Sequence, residues 1–242
     1  MNIRKVLFFD LETVGRASTY EDLSSSIDPL DMRLSKLWEA WQEKYKEANG
    51  DLTLNEVWQN KAGLHAEYGK VICATFGYYD PEMNMKITSF YGHDEKDILT
   101  KCIGVMNNAD KNGMYLGGHT IEKFDVPFLW KRILANGLTP PNIISVWDKK
   151  PWDLKFFDIA KVWSDGSWKE SFTSLDTMSA IFNVDTPKGD MKGSMVHNSY
   201  WNEDGIEKVK TYCEHDVRAT MQVAYKMVEI MNPKEKNESL VH

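Results

Sequence analysis

Only three cysteines occur in the 242 residues, Cys73, Cys102 and Cys213. They lie far apart, form no Cys-x-x-Cys pair and sit within apolar patterns. That excludes a disulfide scaffold and a zinc ribbon, and predicts reduced core thiols in a cytoplasmic protein. Long apolar runs are missing too: nothing approaches the roughly 20 residues that span a bilayer. Arg4 and Lys5 precede an apolar stretch that Asp10 cuts short, too early for a signal peptide. No membrane partner is expected. Excess positive charge is also absent, with 36 acids against 29 bases and a net charge of −7. This argues against tight gripping of a long duplex by its phosphates. It leaves room for a protein that acts on a short strand end, and two bound divalent ions would cancel four of those charges.

What is present is ordinary for a globular protein: 42% hydrophobic and 27% charged residues, with 9 Trp, 10 Tyr and 10 Phe to fill a core. There is no internal repeat and no composition shift that marks a boundary. Residues 1–231 are read as one domain, 14–66 as a helical insertion within it, and 232–242 as a polar tail.

The stretch Val6-Leu7-Phe8-Phe9 reads as a strand buried on both faces, ending in Asp10-Leu11-Glu12. Side chains alternate along a strand, so Asp10 and Glu12 point the same way where the core stops. Two carboxylates merely ending a strand in solvent would look the same; paired in a buried place, they call for a divalent metal. Thr13–Asp28 is polar and reads as a loop. Leu30, Leu34, Leu37, Trp38, Trp41, Tyr45 and Ala48 recur at steps of three and four, predicting an amphipathic helix over 30–48, stopped by Asn49-Gly50. Thr53 and Glu56 have capping-box spacing for a second helix to about Ala62.

Val71–Tyr79 and Met85–Tyr91 read as a hairpin, and Asp94 as the cap of a helix through Met106. A fourth strand is predicted over Gly113–His119, a helix over Val126–Ala135, a short strand at Phe156-Phe157, and helices over Ile159–Trp163 and Leu175–Phe182. Asn183–Gly205 is long enough that it is either functional or hides a short helix. Ile206–Met231 is the longest helix. The order predicts an α/β protein with a mixed five-stranded sheet covered on both faces.

Two further places carry acids. After Gly117-Gly118-His119-Thr120, Asp125 opens a helix, either as a plain N-cap or as a site residue; the glycines would let another chain approach the strand end. In Tyr212-Cys213-Glu214-His215-Asp216, Tyr212 and Asp216 share one helix face, either to serve a site or to bond one another at the core rim.

Taken together and in this order, Asp10/Glu12, Phe124-Asp125 and Tyr212/Asp216 resemble the three motifs of the DEDD (DnaQ-like) superfamily of 3′–5′ exonucleases. Tyr212 marks the tyrosine subtype; the histidine subtype would need His at position 211, which is Thr211. Phe-Phe-Asp-Leu-Glu-Thr, Pro-Lys-Gly-Asp-Met-Lys-Gly and Tyr-Cys-Glu-His-Asp-Val are similar to stand-alone exonucleases related to the proofreading domain of B-family DNA polymerases. One position departs: the family's Gly-His-Asn ends here in Thr120, whose hydroxyl can still donate a hydrogen bond.

The resemblance implies a ribonuclease-H-like fold and two-metal phosphodiester hydrolysis with Mg²⁺ or Mn²⁺ ions roughly 3.5–4 Å apart. It implies that Asp10 bridges both ions, that Glu12 and Asp216 complete the nucleophile-side ion, that Asp125 serves the other, and that Tyr212 orients the attacking water. Leu11, Thr13, Thr120, Phe124 and Lys188 become the expected nucleic-acid contacts, with Lys192 beside Lys188. The implied partner is the 3′ end of DNA, single-stranded, with a polymerase or a replication or repair protein acting in trans. An exoribonuclease of the same superfamily and a catalytically idle binding module are the alternatives. An integrase-like nuclease fits less well, as it has no use for Tyr212.

Overall fold

A computed structural model describes residues 1–165, 173–185 and 191–233. Five strands form one mixed sheet: β1 (Val6–Gly15), β2 (Gly69–Tyr79), β3 (Met85–Tyr91), β4 (Tyr115–Gly118) and β5 (Phe156–Asp158). Their order is β3-β2-β1-β4-β5. β1 runs antiparallel to β2, and β2 to β3, whereas β1, β4 and β5 are parallel. The central strand is therefore β1, whose Val6, Phe8 and Phe9 are essentially sealed from solvent. It outruns the predicted strand, because Val14 is buried as well; only the polar look of Glu12-Thr13 suggested an earlier end.

Side-chain alternation divides the core. Leu7, Phe9 and Leu11 face one layer, made with α5 (Glu95–Lys111) and α6 (Asp125–Ala135). Val6 and Phe8 face the other, made with α7 (Ile159–Ser164), α8 (Leu175–Ile181) and α10 (Ile206–Met231). α10 lies close against the sheet through Val217 and Met221. A methyl group at Gly77 on β2 would stand 2.6 Å from the Met221 sulfur and 2.8 Å from Val217, so that glycine sets how near the helix can come. The connection 183–205 does hide a short helix, α9 (Val196–Asn202), which packs on the β1 side with Cys73 and Val209.

Between β1 and β2 lie α1 (Tyr20–Ser24), α2 (Pro29–Lys44), α3 (Lys46–Asn49) and α4 (Leu54–Lys61). Both bonds of the Thr53–Glu56 capping box are made. A second box, Thr19–Asp22, starts α1 inside the stretch that reads as loop. The predicted helix over 30–48 breaks at Tyr45. Its tryptophans pack: Trp38 stacks on Trp41 with centroids 4.8 Å apart and meets Trp58 edge-on at 5.1 Å. Leu30 and Leu37, counted in the same stripe, are about half exposed. Among the described residues, no helix is long and apolar enough to cross a membrane.

Candidate active site

Asp10 and Glu12 lie on the α10 side of β1. Asp10 pairs with Thr75 and Glu12 with Cys73, but Thr13 pairs with Val71, so β2 carries a one-residue bulge beside the acids. Asp125 arrives from β4. That strand pairs with β1 only as far as Phe8 and Gly117 and ends at Gly118, where a methyl would strike Ile121 at 2.1 Å. Beyond that point the edge of β1 has no strand neighbour, and Asp125 takes its place: its Oδ1 accepts the Leu11 amide N–H at 3.1 Å. The cap position of α6 is Phe124, which makes no side-chain cap bond. Asp125 thus bonds across 114 residues of sequence instead of capping its own helix.

Tyr212, Cys213 and Asp216 come from α10. Tyr212 and Asp216 lie one turn apart on one face of that helix, and each shifts the ionisation of the other. The Cys213 thiol donates to Asp10 Oδ2 at 3.3 Å and to the Asp10 carbonyl at 3.5 Å. Ligand atoms of Asp10, Glu12 and Cys213 lie within 4.8 Å of one another, a spacing that could hold a metal ion.

The electrostatics are those of crowded, buried anions. Burial pushes the Asp10 carboxyl well above its ordinary value; the charges of Asp125 and Asp216 add to this, and the Cys213 thiol opposes it. Glu12 is raised by burial, then by Asp10 and Asp216. Burial also lifts Asp125 to about 7, against the pull of its backbone hydrogen bonds and with help from Asp158. Asp216 is lifted to about 6, by burial first. No lysine or arginine is among the main influences on any of the four. Among the described residues no basic side chain balances the ionised cluster, which makes it a place for divalent cations. Burial and the neighbouring carboxylates push the Tyr212 hydroxyl far up, and burial does the same to Cys213. Both stay protonated, so the available donors are hard carboxylate oxygens, suited to Mg²⁺ or Mn²⁺.

The expected contact residues fare differently. The Leu11 amide is occupied by Asp125. The Thr13 hydroxyl donates to the Gly63 carbonyl at 2.6 Å, turned to the insertion. Phe124 is half-buried with its ring 5.4 Å from that of Phe128. Thr120 adopts φ +64°, a left-handed conformation that costs a β-branched residue more than the family's Asn. Lys192 is exposed, and Lys188 lies outside the described residues.

Asp158 is the residue that sequence reading passed over. Buried at the end of β5, it caps α7 through the amides of Ala160 and Lys161, at 3.0 and 3.4 Å. The same carboxylate accepts the amides of Thr120 at 2.9 Å and Glu122 at 3.1 Å. It thereby holds the strained turn that delivers Asp125. A signal existed: Phe-Phe-Asp occurs twice, within β1 and again at the end of the parallel strand β5.

No curated protein sequence matches the chain significantly. Its structure is similar to that of the family B DNA polymerase from the hyperthermophilic archaeon Pyrobaculum calidifontis, with TM-score 0.52 and 18% identity over 92% of this chain. The match takes in 24% of that polymerase, so the chain spans about a quarter of its length. Escherichia coli Exonuclease I in complex with a dT13 oligonucleotide aligns with TM-score 0.47 and 13% identity, over 98% of this chain and 43% of that one. The family profile described as "Predicted 3'-5' exonuclease related to the exonuclease domain of PolB" matches residues 64–239, which include Asp125, Tyr212 and Asp216 and leave out Asp10 and Glu12. The chain belongs to that family, and is a 3′–5′ exonuclease of the PolB-related type on a ribonuclease-H-like sheet.

Proposed function

We propose that this exonuclease releases nucleoside monophosphates from the 3′ end of DNA, single-stranded by preference, by the two-metal chemistry of the DEDD tyrosine subtype. The observation that carries this is the convergence of four carboxylates from three distant segments, with no basic partner among the described residues. Asp10, Glu12, Asp125 and Asp216 would hold two divalent cations, Mg²⁺ or Mn²⁺. When bound, these supply a water of lowered pKa and stabilise charge on the leaving 3′ oxygen.

The chain's own residues do the rest. Bonding to the Leu11 amide fixes the Asp125 carboxylate against the strand that bears the other acids. Held protonated beside Asp216, the Tyr212 hydroxyl would position a water rather than take its proton. The Cys213 thiol steadies Asp10 without competing as a ligand. Glu12 and Asp125 are almost sealed, at 8% and 4% exposure, which favours a narrow, unpaired strand end as the substrate over a paired one. Similarity to a DNA polymerase favours DNA over RNA. Free, buried cysteines fit a reducing compartment, the cytoplasm, with proofreading or repair carried out beside a partner in trans.

End-labelled single-stranded DNA, duplex DNA and RNA, each with and without EDTA, test this directly. Asp10→Ala is expected to abolish metal-dependent release of mononucleotides while the circular dichroism spectrum is unchanged. Full activity in that variant would sink the assignment; degradation of RNA with DNA spared would move it to the exoribonucleases.

A further inference from the structure

The parallel strands have two ends, and the acids occupy only one. At the other, the turn before β4 meets the long connection between α6 and β5. Trp147 and Trp152 stand there 78% and 76% exposed, far more than any other aromatic side chain among the described residues. Hydrogen bonds tie the surroundings into one surface. Lys5 Nζ donates to the Asn112 carbonyl at 3.4 Å. Asp110 accepts from Asn142 Nδ2 and from Lys155 Nζ, both at 3.2 Å. Lys149 bonds the Asn142 carbonyl, and Lys150 Nζ lies 5.3 Å from the centre of the Trp152 ring. Across residues 4–5, 110–115 and 142–155, six basic side chains stand against three acidic ones, in a molecule whose net charge is −7.

We infer that this edge is a second contact for single-stranded nucleic acid, with the indoles of Trp147 and Trp152 stacking on unpaired bases and Lys150 and Lys155 meeting phosphates. This rests on the exonuclease function proposed above. Two large rings that project singly, with lysines between them, suit successive bases. A peptide-binding face would present a continuous apolar surface instead. Local positive charge on an acidic protein selects a polyanion. Val6 is level with Tyr115 in the sheet and Asp10 lies four residues further on, so the edge is about 13 Å from the acids along the strands at ~3.3 Å per residue. Only a strand long enough to pass round the sheet engages both, and the edge would hold the 5′-ward part while the 3′ end is cut.

The test uses the whole chain with Mg²⁺ and oligo-dT substrates of about five and about forty nucleotides. Wild type is expected to show a lower KM on the long strand. The double variant Trp147→Ala/Trp152→Ala should raise that KM about tenfold, the order expected for loss of base stacking, and weaken its salt dependence. Its kcat, and its KM on the short strand, should not change. Equal KM for wild type and variant on both lengths would overturn the proposal. So would quenching of indole fluorescence by an acidic peptide but not by oligo-dT, which would reassign the edge to a protein partner. If wild type degraded no oligonucleotide, the catalytic assignment would be at fault. Fluorescence titration with oligo-dT would then still decide the edge by itself.

Discussion

Raising the pH without divalent metal is expected to destabilise this protein, and the site sets how much. Asp125 has its carboxyl raised to about 7 from an ordinary value of 3.8, chiefly by burial. A native pKa above the unfolded one means that the folded state holds the proton more tightly. Between the two values the native protein carries more protons than the unfolded chain, so stability falls as pH rises through that window. A difference of about 3 units, at 1.36 kcal/mol per unit, is about 4 kcal/mol lost between pH 4 and pH 8. Asp216, raised to about 6, acts in the same direction, and so do Asp10 and Glu12. These groups repel one another, so their contributions are not additive. The Asp125 share alone corresponds to roughly 8–16 °C in Tm for a chain of this size.

Divalent metal reverses the trend, because it binds the ionised carboxylates and stabilises only the folded state. Thermal melts in EDTA at constant ionic strength, from pH 5 to pH 8, should therefore show a falling Tm. The gain in Tm on adding Mn²⁺ should grow over the same range. Asp125→Asn removes one titrating group and should flatten the EDTA curve. A Tm in EDTA that stays level or rises with pH would refute the account of the cluster as repelling anions without a cation of their own. Equal Mn²⁺ gains at pH 5 and pH 8 would do the same.

Tyr212→Phe should lower kcat severalfold or more while leaving the Mn²⁺-induced rise in Tm intact; an unchanged kcat would remove Tyr212 from the proposed mechanism. Asp158→Ala strips a cap and leaves the amides of Thr120 and Glu122 without their acceptor, at a cost of about 3 kcal/mol in urea denaturation. Asp158→Asn keeps an oxygen for Thr120 but turns an NH₂ toward Glu122, and should lose about half as much. Both Asp158 variants should weaken Mg²⁺ binding, since the turn they loosen delivers Asp125. A stability change in Asp158→Ala within about 0.5 kcal/mol of wild type would show that the turn does not depend on Asp158.

What the sequence made legible was local. Period-2 and period-3.6 patterns located the hairpin, whose first strand starts two residues earlier than expected, and α10, whose bounds agree with the structure, and cap residues located the starts of α4 and α5 at Thr53 and Asp94. Alternation put Asp10 and Glu12 on one face. The misses are non-local. Asp125 looked as much like a helix cap as a site residue, because its partner, the Leu11 amide, lies on another strand. Asp158 looked like the end of a strand because two of its four amide partners belong to the distant turn after β4. The apolar stripe of α2 was wider than the surface that covers it, leaving Leu37 outside while Trp38 is fully buried. Periodicity reports which residues are able to be buried; neighbours in three dimensions decide which are.

The cluster also differs from the buried ion pair elsewhere in the fold, and the difference explains why the surroundings are so tightly built. There, Arg132 forms a two-pronged pair with Glu95, whose oxygens also accept from Val71 and Asn136. Around Asp10 no such cation is supplied among the described residues. Left to relax, mutually repelling carboxylates would swing apart into solvent. Here each is pinned by something that cannot yield cheaply. Phe8 and Phe9 anchor the strand beneath Asp10; the Leu11 amide holds Asp125; Val217 and Met221, brought close over Gly77, keep α10 and its Asp216 in place. Repulsion is therefore retained as a property of the folded state, ready to be relieved when divalent cations bind. A basic side chain in the cluster would make the metal-free protein more stable, and for that reason a poorer ligand for the metal.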